Sequence, residues 1–340
     1  MPRLPTTLLA LLLTSCASFP ARYEPPGAAG TPPPIAVESD RASMTLDVLT
    51  YNVEGLQWPA RSGRAPDLQR IGQMLREMRE HGRAPDIILF QEAFSAAAIR
   101  AIKDSGYPFM VGGPGRTLSS VENADARRVG RPRPTKGEIG LRLLGSGLVI
   151  ASRYPVTGAE MDAYSRKTCA GFDCLSNKGV QLVRLAIPGV PVPIEVAATH
   201  MNSQRASKVR VERHLAAHQF QSEELARFLE RHHHPASPLI LGGDFNMRRS
   251  QERFTAFRSR IAFDQVHEYC APPERCDVRL SWDGDAPWMD TQDLQFFAPG
   301  KGVEIRPERV EAMFDGSPAS PKLSDHDGFR VQYRLSWKAD

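Results

Sequence analysis

The chain has 340 residues, the length of one large domain or of two ordinary ones. It is 41% hydrophobic and 24% charged, which is the composition of a globular protein with a substantial core and not of a disordered chain. The formal net charge of +4 is small for this length, so it neither requires nor excludes an anionic partner.

Residues 1–15 predict an export signal. Arg3 precedes a short apolar run, residues 8–13, which is too short to span a bilayer as a permanent helix. The following Leu-Thr-Ser-Cys resembles a bacterial lipobox, in which the chain is cleaved before a cysteine, here Cys16, that becomes lipidated. A plain secretory signal with an accidental cysteine is the alternative. We expect Cys16 to anchor the protein in the bacterial cell envelope, at the outer membrane or the periplasmic face.

The segment after the signal predicts a flexible tether. Residues 16–43 are rich in Pro, Gly and Ala and show no hydrophobic period, as expected for a linker between a lipid and a folded domain. The rest of the chain contains no second linker of this kind. Residues 44–340 are therefore predicted to form one domain, which we expect to be monomeric, and no protein partner is implied.

Hydrophobic patterns predict an alternation of strands and helices. Runs that alternate or stay apolar between Gly and Pro residues indicate strands, and apolar residues at helical spacing indicate helices. In chain order these are a strand at 44–53, a helix at 67–82, a strand at 85–94, a helix from Ser95, strands at 146–156, 178–188 and 192–202, a helix at 207–234, a strand at 238–246, a helix at 251–260, and strands at 293–300, 303–315 and 326–337.

Strands outnumber helices in this pattern, and most neighbouring strands have connections that suit antiparallel pairing. Residues 178–188 and 192–202, separated by Gly189 and Pro191, are typical of a hairpin. Two sheets packed on each other with helices outside would bury such strands on both faces. The predicted fold class is therefore α/β, with two packed, mostly antiparallel sheets. In the long helix, the candidate core residues are Leu215, Phe220, Leu225 and Phe228.

Four cysteines remain after Cys16, and they lie as two close pairs. In an exported protein this favours two short-loop disulfides, Cys169–Cys174 and Cys270–Cys276. A zinc site is the alternative, although the spacings are not C-x-x-C. The sequence leaves crossed pairing open.

Polar residues stand at or just past the ends of five apolar strands. Such ends can converge at one rim of a sheet, where loops on a rigid scaffold commonly supply active-site residues. Each residue alone could be a cap, turn or surface residue, so the ordered set carries the interpretation. The set is Asn52, then Glu92, then His200 with Asn202, then Asp244 with Asn246, and last Asp325 with His326.

In that order the set resembles the endonuclease/exonuclease/phosphatase superfamily, which includes deoxyribonucleases, abasic-site endonucleases, inositol polyphosphate 5-phosphatases and neutral sphingomyelinases. The resemblance extends from Leu46 to Trp337, and "GGDFN" and "SDH" are its most specific pieces. It implies a four-layer α/β/β/α sandwich and metal-dependent hydrolysis of a phosphoester by an activated water. We expect Gly242 and Gly243, which lack side chains, to let the backbone approach a bound phosphate.

The chemistry of a phosphoesterase assigns roles to this set. Mg²⁺ can neutralise a phosphodiester and polarise its phosphoryl oxygen, and it prefers oxygen ligands with only one or two carboxylates. Glu92 is the predicted metal ligand, Asn52 supplies an amide oxygen, and Asp325 touches the metal shell. Mn²⁺ and Ca²⁺ are alternative ions, and the sequence does not decide between one metal and two. A histidine suits a base near neutral pH, and His326 is the predicted base.

The resemblance implies the remaining roles. Asp293 orients the ring of His326, and Asp244 positions the water or shares the role of base. Asn246 holds the phosphoryl oxygen, and His200 stabilises the phosphate or protonates the leaving group. Two further residues, Asn202 and Lys178, are predicted to contact the substrate phosphate.

One stretch points to a lipid substrate. "GFDCLSNKGVQLVRL", residues 171–185, is similar to a segment of neutral and bacterial sphingomyelinases in which a Lys-Gly pair, here Lys178 and Gly179, leads into a strand. The alternative is a hairpin turn whose Asn-Lys-Gly only satisfies turn geometry. The long hydrophobic hairpin expected of bacterial sphingomyelinases for membrane insertion is not evident in this sequence.

Two other functions stay open. Residues 127–136 hold five basic residues in ten, which can neutralise nucleic-acid phosphates, meet anionic lipid, or form a solvated loop. The run has no interleaved aromatic residues for stacking on bases. An exported endonuclease is therefore one alternative, and a catalytically silent binding module is another, although every expected polar position is filled. His214 and His218 are interpreted as a solvated helix face rather than a metal site.

Overall fold

The computed structural model describes residues 19–24, 32–57, 60–120, 126–279, 291–318 and 320–339. Cys16 and the predicted signal peptide lie outside these residues. The described α-helices are α1 (Ala65–Glu80), α2 (Ala96–Asp104), α3 (Val211–His232), α4 (Gln251–Arg258) and α5 (Val266–Tyr269). None of the helices in the described ranges combines the length and the apolar character needed to cross a membrane.

The strands of the described residues form two sheets. They are β1 (Ala36–Glu38), β2 (Arg41–Asn52), β3 (Ile87–Gln91), β4 (Phe109–Gly112), β5 (Val149–Ser152), β6 (Val156–Ala163), β7 (Gly179–Leu185), β8 (Ile194–His200), β9 (Leu239–Asp244), β10 (Asp264–Gln265), β11 (Asp277–Arg279), β12 (Asp293–Ala298), β13 (Val303–Met313) and β14 (Gly328–Lys338). The first sheet has the order β11-β13-β14-β2-β3-β5-β4, with β1 on β2. The second has the order β10-β12-β9-β8-β7-β6.

Two packed sheets with helices outside confirm the predicted fold class. Leu46 and Leu89 of the first sheet pack with Ile240 of the second in a shared buried cluster. On the other face of the first sheet, Leu49 packs with residues of α1. Leu241 of the second sheet packs with α3. Strands buried on both faces explain why their sequences read as nearly continuous apolar runs.

Strand direction brings the ends of several strands to one rim. Most pairs are antiparallel, but β2 with β3 and β8 with β9 are parallel. Parallel strands place their carboxyl ends at the same edge, so the residues after β2 and β3 lie together, as do those after β8 and β9. In the second sheet His200 pairs with Asp244, and Asp244 pairs with Asp293 of the antiparallel β12.

The structure differs from the predicted elements at several places. Of the predicted strand 146–156, only Val149–Ser152 form β5 in the first sheet, and Val156 begins β6 in the second sheet, most of which was not predicted. The break falls before Pro155, which has no N–H to donate to a ladder. At the N-terminus, β1 and the start of β2 lie within the segment predicted as tether, and Tyr23 pairs with Met110 through two backbone hydrogen bonds of 2.8 and 3.0 Å. The short elements β1, β4, β10, β11 and α5 have no clear sequence signal.

Both predicted disulfides are present. Cys169 is bonded to Cys174 across a 3₁₀ turn at Gly171–Leu175, and Cys270 is bonded to Cys276. The Cα atoms within the two pairs are 5.3 and 5.2 Å apart. Each bond therefore closes a short local loop, as the cysteine spacing indicates.

Gly242 and Gly243 have a packing role in this fold. A Cβ on Gly242 would lie 2.5 Å from Leu89 Cδ1 and 2.7 Å from Thr50 Oγ1, both in the first sheet. A Cβ on Gly243 would lie 2.0 Å from the carbonyl oxygen of Thr199 in β8. The two glycines let β9 approach its neighbours closely, which is a different reason from the phosphate contact that the sequence suggested.

The long helix α3 buries more polar residues than its pattern predicts. Leu225 and Phe228 are core residues as expected, whereas Leu215 and Phe220 are only partly buried. The interpretation of His214 and His218 as a solvated face is wrong, because both are buried.

The same helix buries the carboxylate of Glu224. Its Oε2 accepts a hydrogen bond of 2.9 Å from the backbone N–H of Ser165, and its buried Oε1 has no partner among the described residues. Burial raises the pKa of Glu224 to about 7, although the hydrogen bonds from Ser165 and Thr168 oppose that rise.

We expect Glu224→Gln to stabilise the protein at pH 8 and to have little effect at pH 4. The pKa of Glu224 is higher in the folded protein than in the unfolded chain. Its contribution to the free energy of unfolding is therefore fully present below about pH 4.5 and is lost as pH rises through about 7. The gain at pH 8 should be on the order of 2–3 kcal/mol, measured as the free energy of unfolding in urea. Glu230→Gln, at an exposed position of the same helix, is the control. Equal effects of Glu224→Gln at both pH values would contradict this account.

Candidate active site

The rim where the strands end holds most of the predicted site residues. The pairing of β8, β9 and β12 sets His200, Asp244 and Asp293 in one row across the second sheet. Asn52 and Glu92 reach the same place from the ends of β2 and β3 in the first sheet. The prediction that these strand ends converge agrees with this geometry.

Asp244 is the centre of the row. Its Oδ2 lies 3.3 Å from His200 Nε2, 4.0 Å from His326 Nε2 and 3.2 Å from Asn52 Nδ2. Its Oδ1 accepts a 3.0 Å hydrogen bond from the backbone N–H of Asn246. Burial favours the neutral acid, but the charge and hydrogen bond of His200, with His326 and Lys178, hold the pKa of Asp244 far below its usual range. Asp244 is thus a stable buried carboxylate.

His326 forms a buried dyad with Asp293. Nδ1 of the ring bonds to Asp293 Oδ2, so Nε2 is turned towards Asp244 and lies 3.4 Å from Gln292 Nε2. Burial opposes the charged ring, but Asp293, Asp244 and Asp325 raise the pKa of His326 well above its usual value. Burial raises the pKa of Asp293 to about 6, although His326 opposes that rise. Asp293 therefore orients the ring, as the sequence prediction proposed.

Glu92 provides a carboxylate for a cation, and Asn52 lies beside it with its amide nitrogen towards the carboxylates. The predicted amide-oxygen contact of Asn52 with the ion stays a prediction. Glu92 has a left-handed backbone (φ +60°), a conformation that is uncommon outside glycine and that is frequent at functional sites. Asn52 Nδ2 lies 3.2 Å from Glu92 Oε1 and 3.2 Å from Asp244 Oδ2, while Asn52 Oδ1 accepts a hydrogen bond from Glu54 N–H. Two carboxylates thus converge on one neutral amide. This donor set fits one divalent ion held by one or two carboxylates with waters.

Asp325 lies apart from these donors. Its side chain is 52% exposed and pairs with Arg61 at 3.5 Å. Its carboxylate is therefore on the solvent side of the rim, and its predicted contact with the metal shell stays a prediction. Within the described ranges, no group of three or more His, Cys, Asp or Glu side chains has the geometry of a metal site.

Lys178 extends the row on its other side. Its buried Nζ lies 2.9 Å from His200 Nε2, 2.9 Å from the Met201 carbonyl oxygen and 3.3 Å from Asp173 Oδ1. His200 Nε2 can accept from Lys178 or donate to Asp244, but it cannot do both at once.

Asn246 and Asn202 differ in their placement. Asn246 has a left-handed backbone (φ +53°), and its side chain donates to the Met201 carbonyl at 3.2 Å beside the row. Asn202 is fully buried, and its side chain bonds to the backbone of Ala170 and Ser203. The Asn202 side chain thus joins two loops. Its contact with the substrate phosphate stays a prediction.

A buried arginine supports these loops and was not found from the sequence. Arg253 of α4 donates to the carbonyl oxygens of Asn202 at 2.6 Å and Asn246 at 2.9 Å. Its guanidinium also lies 2.7 Å from His214 Nδ1, and His218 Nε2 meets the Phe245 carbonyl oxygen at 2.9 Å. The two helix histidines are therefore part of the scaffold beneath the site. An arginine on a short amphipathic helix gives no sequence signal for this role.

The chain belongs to the Endonuclease/Exonuclease/phosphatase family, because residues 49–326 match its family model. Members of this family are hydrolases that act on phosphoester bonds. A comparison with curated protein sequences finds no match.

Solved structures of this fold come from proteins of different function. A beta toxin mutant from Staphylococcus aureus with bound magnesium ions has a TM-score of 0.58 and 17% identity, covering 87% of this chain and 100% of that one. Sphingomyelinase C from Streptomyces griseocarneus has a TM-score of 0.54 and 19% identity, with coverages of 85% and 99%. D. rerio TDP2 complexed with a single-strand DNA product has a TM-score of 0.55 and 14% identity, with coverages of 85% and 98%. At these identities the likeness shows the fold alone.

We expect Asp293→Asn to lower turnover about 10²- to 10⁴-fold while the fold survives. The amide keeps the shape of the carboxylate but removes the negative charge that stabilises the charged ring of His326. Turnover of a chromogenic phosphodiester with Mg²⁺ measures the effect, and thermal unfolding checks the fold. Asp264→Asn, at an exposed edge of the same sheet, is the matched control. Turnover near that of the unchanged protein would remove the dyad from the reaction.

Proposed function

We propose that this protein is a Mg²⁺-dependent phosphodiesterase of the bacterial cell envelope and that its substrate is a sphingomyelin-type phospholipid. The observation that carries the reaction class is the buried His326–Asp293 dyad directed at Asp244, beside the carboxylate of Glu92 and the amide of Asn52. A base, a fixed anion and a cation site within one rim are the parts that water attack on a phosphodiester requires.

His326 is the base in this proposal. Asp293 fixes Nδ1, so Nε2 of the neutral ring is the nitrogen that takes the proton from the attacking water. The carboxylates that raise the pKa of His326 make this neutral ring a stronger proton acceptor. Asp244 has a pKa too low for an efficient proton acceptor, and it instead stabilises the ring of His326 once that ring is charged. Glu92, with Asn52 beside it, would hold a divalent ion, and that ion would supply positive charge to neutralise the phosphodiester.

His200 is the acid in this proposal. Its Nε2 stands between Lys178 Nζ and Asp244 Oδ2, and it exchanges one partner for the other when a proton leaves. Lys178 adds positive charge on the same side, where negative charge develops on the leaving oxygen. Because Lys178 also bonds to the Met201 carbonyl and Asp173, its ammonium group is held in position before substrate binds.

The choice of a phospholipid rests on the segment that carries Lys178. Residues 171–179 resemble the corresponding segment of sphingomyelinases, and they place Lys178 beside His200. Phe172, in the same segment, has an exposed aromatic ring. A sphingomyelinase C and a beta toxin are among the structures that share the fold, which supports this choice without deciding it.

A nuclease is the second candidate. The structure of TDP2 with a single-strand DNA product shares the fold to a similar degree, and the basic run at 127–136 suits a phosphate backbone. The substrate assay below is designed to decide between the two.

We expect the protein to hydrolyse sphingomyelin in mixed-micelle form with added Mg²⁺, to leave plasmid DNA intact, and to lose activity in EDTA. The two substrates are assayed side by side with the same preparation, and His326→Ala is the inactive control. Cleavage of DNA without release of phosphocholine would establish the nuclease instead. No hydrolysis of either substrate or of a chromogenic phosphodiester with Mg²⁺, Mn²⁺ or Ca²⁺ would remove the enzymatic proposal.

We expect Glu92→Gln to raise the Mg²⁺ concentration for half-maximal activity about ten-fold or more, because it removes the carboxylate that holds the ion. Isothermal titration of Mg²⁺ into the protein gives a second readout that does not depend on turnover. Glu77→Gln, at an exposed position of α1, is the matched control. An unchanged Mg²⁺ requirement in Glu92→Gln would move the ion away from Glu92.

A further inference from the structure

A basic cavity lies outside the catalytic row, which is the row of His200, Asp244 and Asp293 proposed above to carry the reaction. It has a volume of about 190 Å³ and is enclosed by the loop 128–142, the segment 166–174 and α3. Typical sites for drug-sized ligands measure roughly 300–1,000 Å³, so this cavity suits a smaller group. None of the residues proposed for catalysis lines it. Its charged lining residues are Arg128, Glu138, Arg142, Arg166, Lys167 and Arg213.

The lining carries five cationic side chains and one carboxylate. That carboxylate, Glu138, is already engaged, because Arg213 donates to both of its oxygens and the backbone N–H groups of Arg133 and Gly171 donate to them as well. Burial opposes the charged form of Glu138, but Arg213 and these hydrogen bonds outweigh it and lower the pKa of Glu138, so it remains an anion. The other lining cations therefore share no second carboxylate within the cavity wall.

Arg142 is the most buried cation in the cavity wall. It is 6% exposed, and its guanidinium donates to the backbone carbonyl oxygens of Cys174, Ser176 and Tyr164 at 2.8–3.3 Å. No carboxylate among the described residues forms an ion pair with it, and its Nε has no hydrogen-bond partner there. Burial and the nearby Arg166 lower the pKa of Arg142 to about 10. The more distant carboxylates of Glu224 and Asp173 oppose this lowering, but neither forms an ion pair with Arg142. A buried charge without a direct ion pair is unfavourable, and an anion in the cavity would relieve this cost.

Exposed apolar side chains lie in the same loop and turn that line the cavity. Ile139, Leu141, Leu143 and Phe172 are 43–62% exposed, and they are half of the eight large apolar residues that the described ranges expose. The loop and the turn that carry them are joined, since the Leu143 N–H donates to the Leu175 carbonyl at 2.7 Å. Arg166 links this rim to the cavity by donating to the Gly140 carbonyl at 3.1 Å. Several exposed apolar side chains beside a basic site are typical of a membrane-contact surface.

We propose that the cavity binds the phosphate of an anionic phospholipid headgroup and that Ile139, Leu141, Leu143 and Phe172 insert into the adjoining bilayer interface. Arg142 and Arg166 bind the phosphate, and the apolar rim contacts the acyl-chain boundary. The same charge complementarity explains the basic run at 127–136, which continues the positive surface away from the cavity. The inference concerns docking and holds whichever phosphoester the catalytic row cleaves.

The test measures binding of the full chain, carrying Cys16→Ser so that no lipid is attached there, to sedimented vesicles. Vesicles of phosphatidylcholine are compared with vesicles of phosphatidylcholine and phosphatidylserine, both without sphingomyelin, so binding is scored apart from hydrolysis. We expect Arg128→Glu/Arg166→Glu to lower the partition coefficient for anionic vesicles about ten-fold or more. Ile139→Ser/Leu141→Ser should lower it as well. Arg70→Glu/Arg100→Glu, with the same change of charge on α1 and α2, should leave it unchanged.

Three other outcomes would overturn the proposal. Equal vesicle binding by the cavity variants and the control would show that the cavity does not meet lipid. If glycerol 3-phosphate raises the melting temperature through Arg166 while anionic vesicles do not bind, the ligand is a soluble phosphate ester. If the charge reversal abolishes binding of a single-stranded oligonucleotide but not of vesicles, the surface serves nucleic acid. Thermal unfolding of each variant confirms that the fold is retained.

Discussion

The side-chain amide of Asn52 joins the two halves of this site. Asn52 ends β2 in the first sheet, and its Nδ2 reaches both Glu92 of that sheet and Asp244 of the second. This contact is only available because the two sheets pack closely here, where Gly242 leaves room for Thr50 and Leu89. Two carboxylates share this one neutral donor, the buried Asp244 and the partly buried Glu92. The rim therefore favours cationic neighbours, and His200 and Lys178 lie on the Asp244 side.

The parallel pairs within mostly antiparallel sheets have a functional consequence. An antiparallel neighbour would have carried its carboxyl end to the opposite edge, whereas β8 and β9 deliver His200 and Asp244 to the same edge in register. The connection that makes this direction available runs through α3, whose buried face then supports the loops after both strands. Arg253 completes that support by donating to the Asn202 and Asn246 carbonyl oxygens. The row of His200, Asp244 and Asp293 is thus built on strand ends and supported by α3 and α4.

The sequence predicted the convergence of strand ends because apolar strands buried on both faces have a clear signal, and polar residues after them stand out. It identified the dyad of His326 and Asp293 only through family resemblance, since 33 residues separate the two along the chain. Arg253 and His218 could not be found, because burial of a polar residue depends on which groups face it after folding. The break at Pro155 was missed for a related reason: an apolar run does not reveal that the chain passes from one sheet to the other.

The substrate side of the rim depends on a different kind of element. Lys178 follows a 3₁₀ turn that the Cys169–Cys174 disulfide closes, and Asp173 of that turn bonds to both Lys178 and the backbone N–H of Ser203. Arg142 holds the same turn through the Cys174 and Ser176 carbonyl oxygens, and its other face forms the wall of the basic cavity. One disulfide-closed turn therefore supports Lys178 beside His200 and also borders the surface proposed to contact the membrane. A lipid headgroup in the cavity would be held at a fixed distance from the catalytic row by covalent and hydrogen-bonded links, without any movement of the sheets.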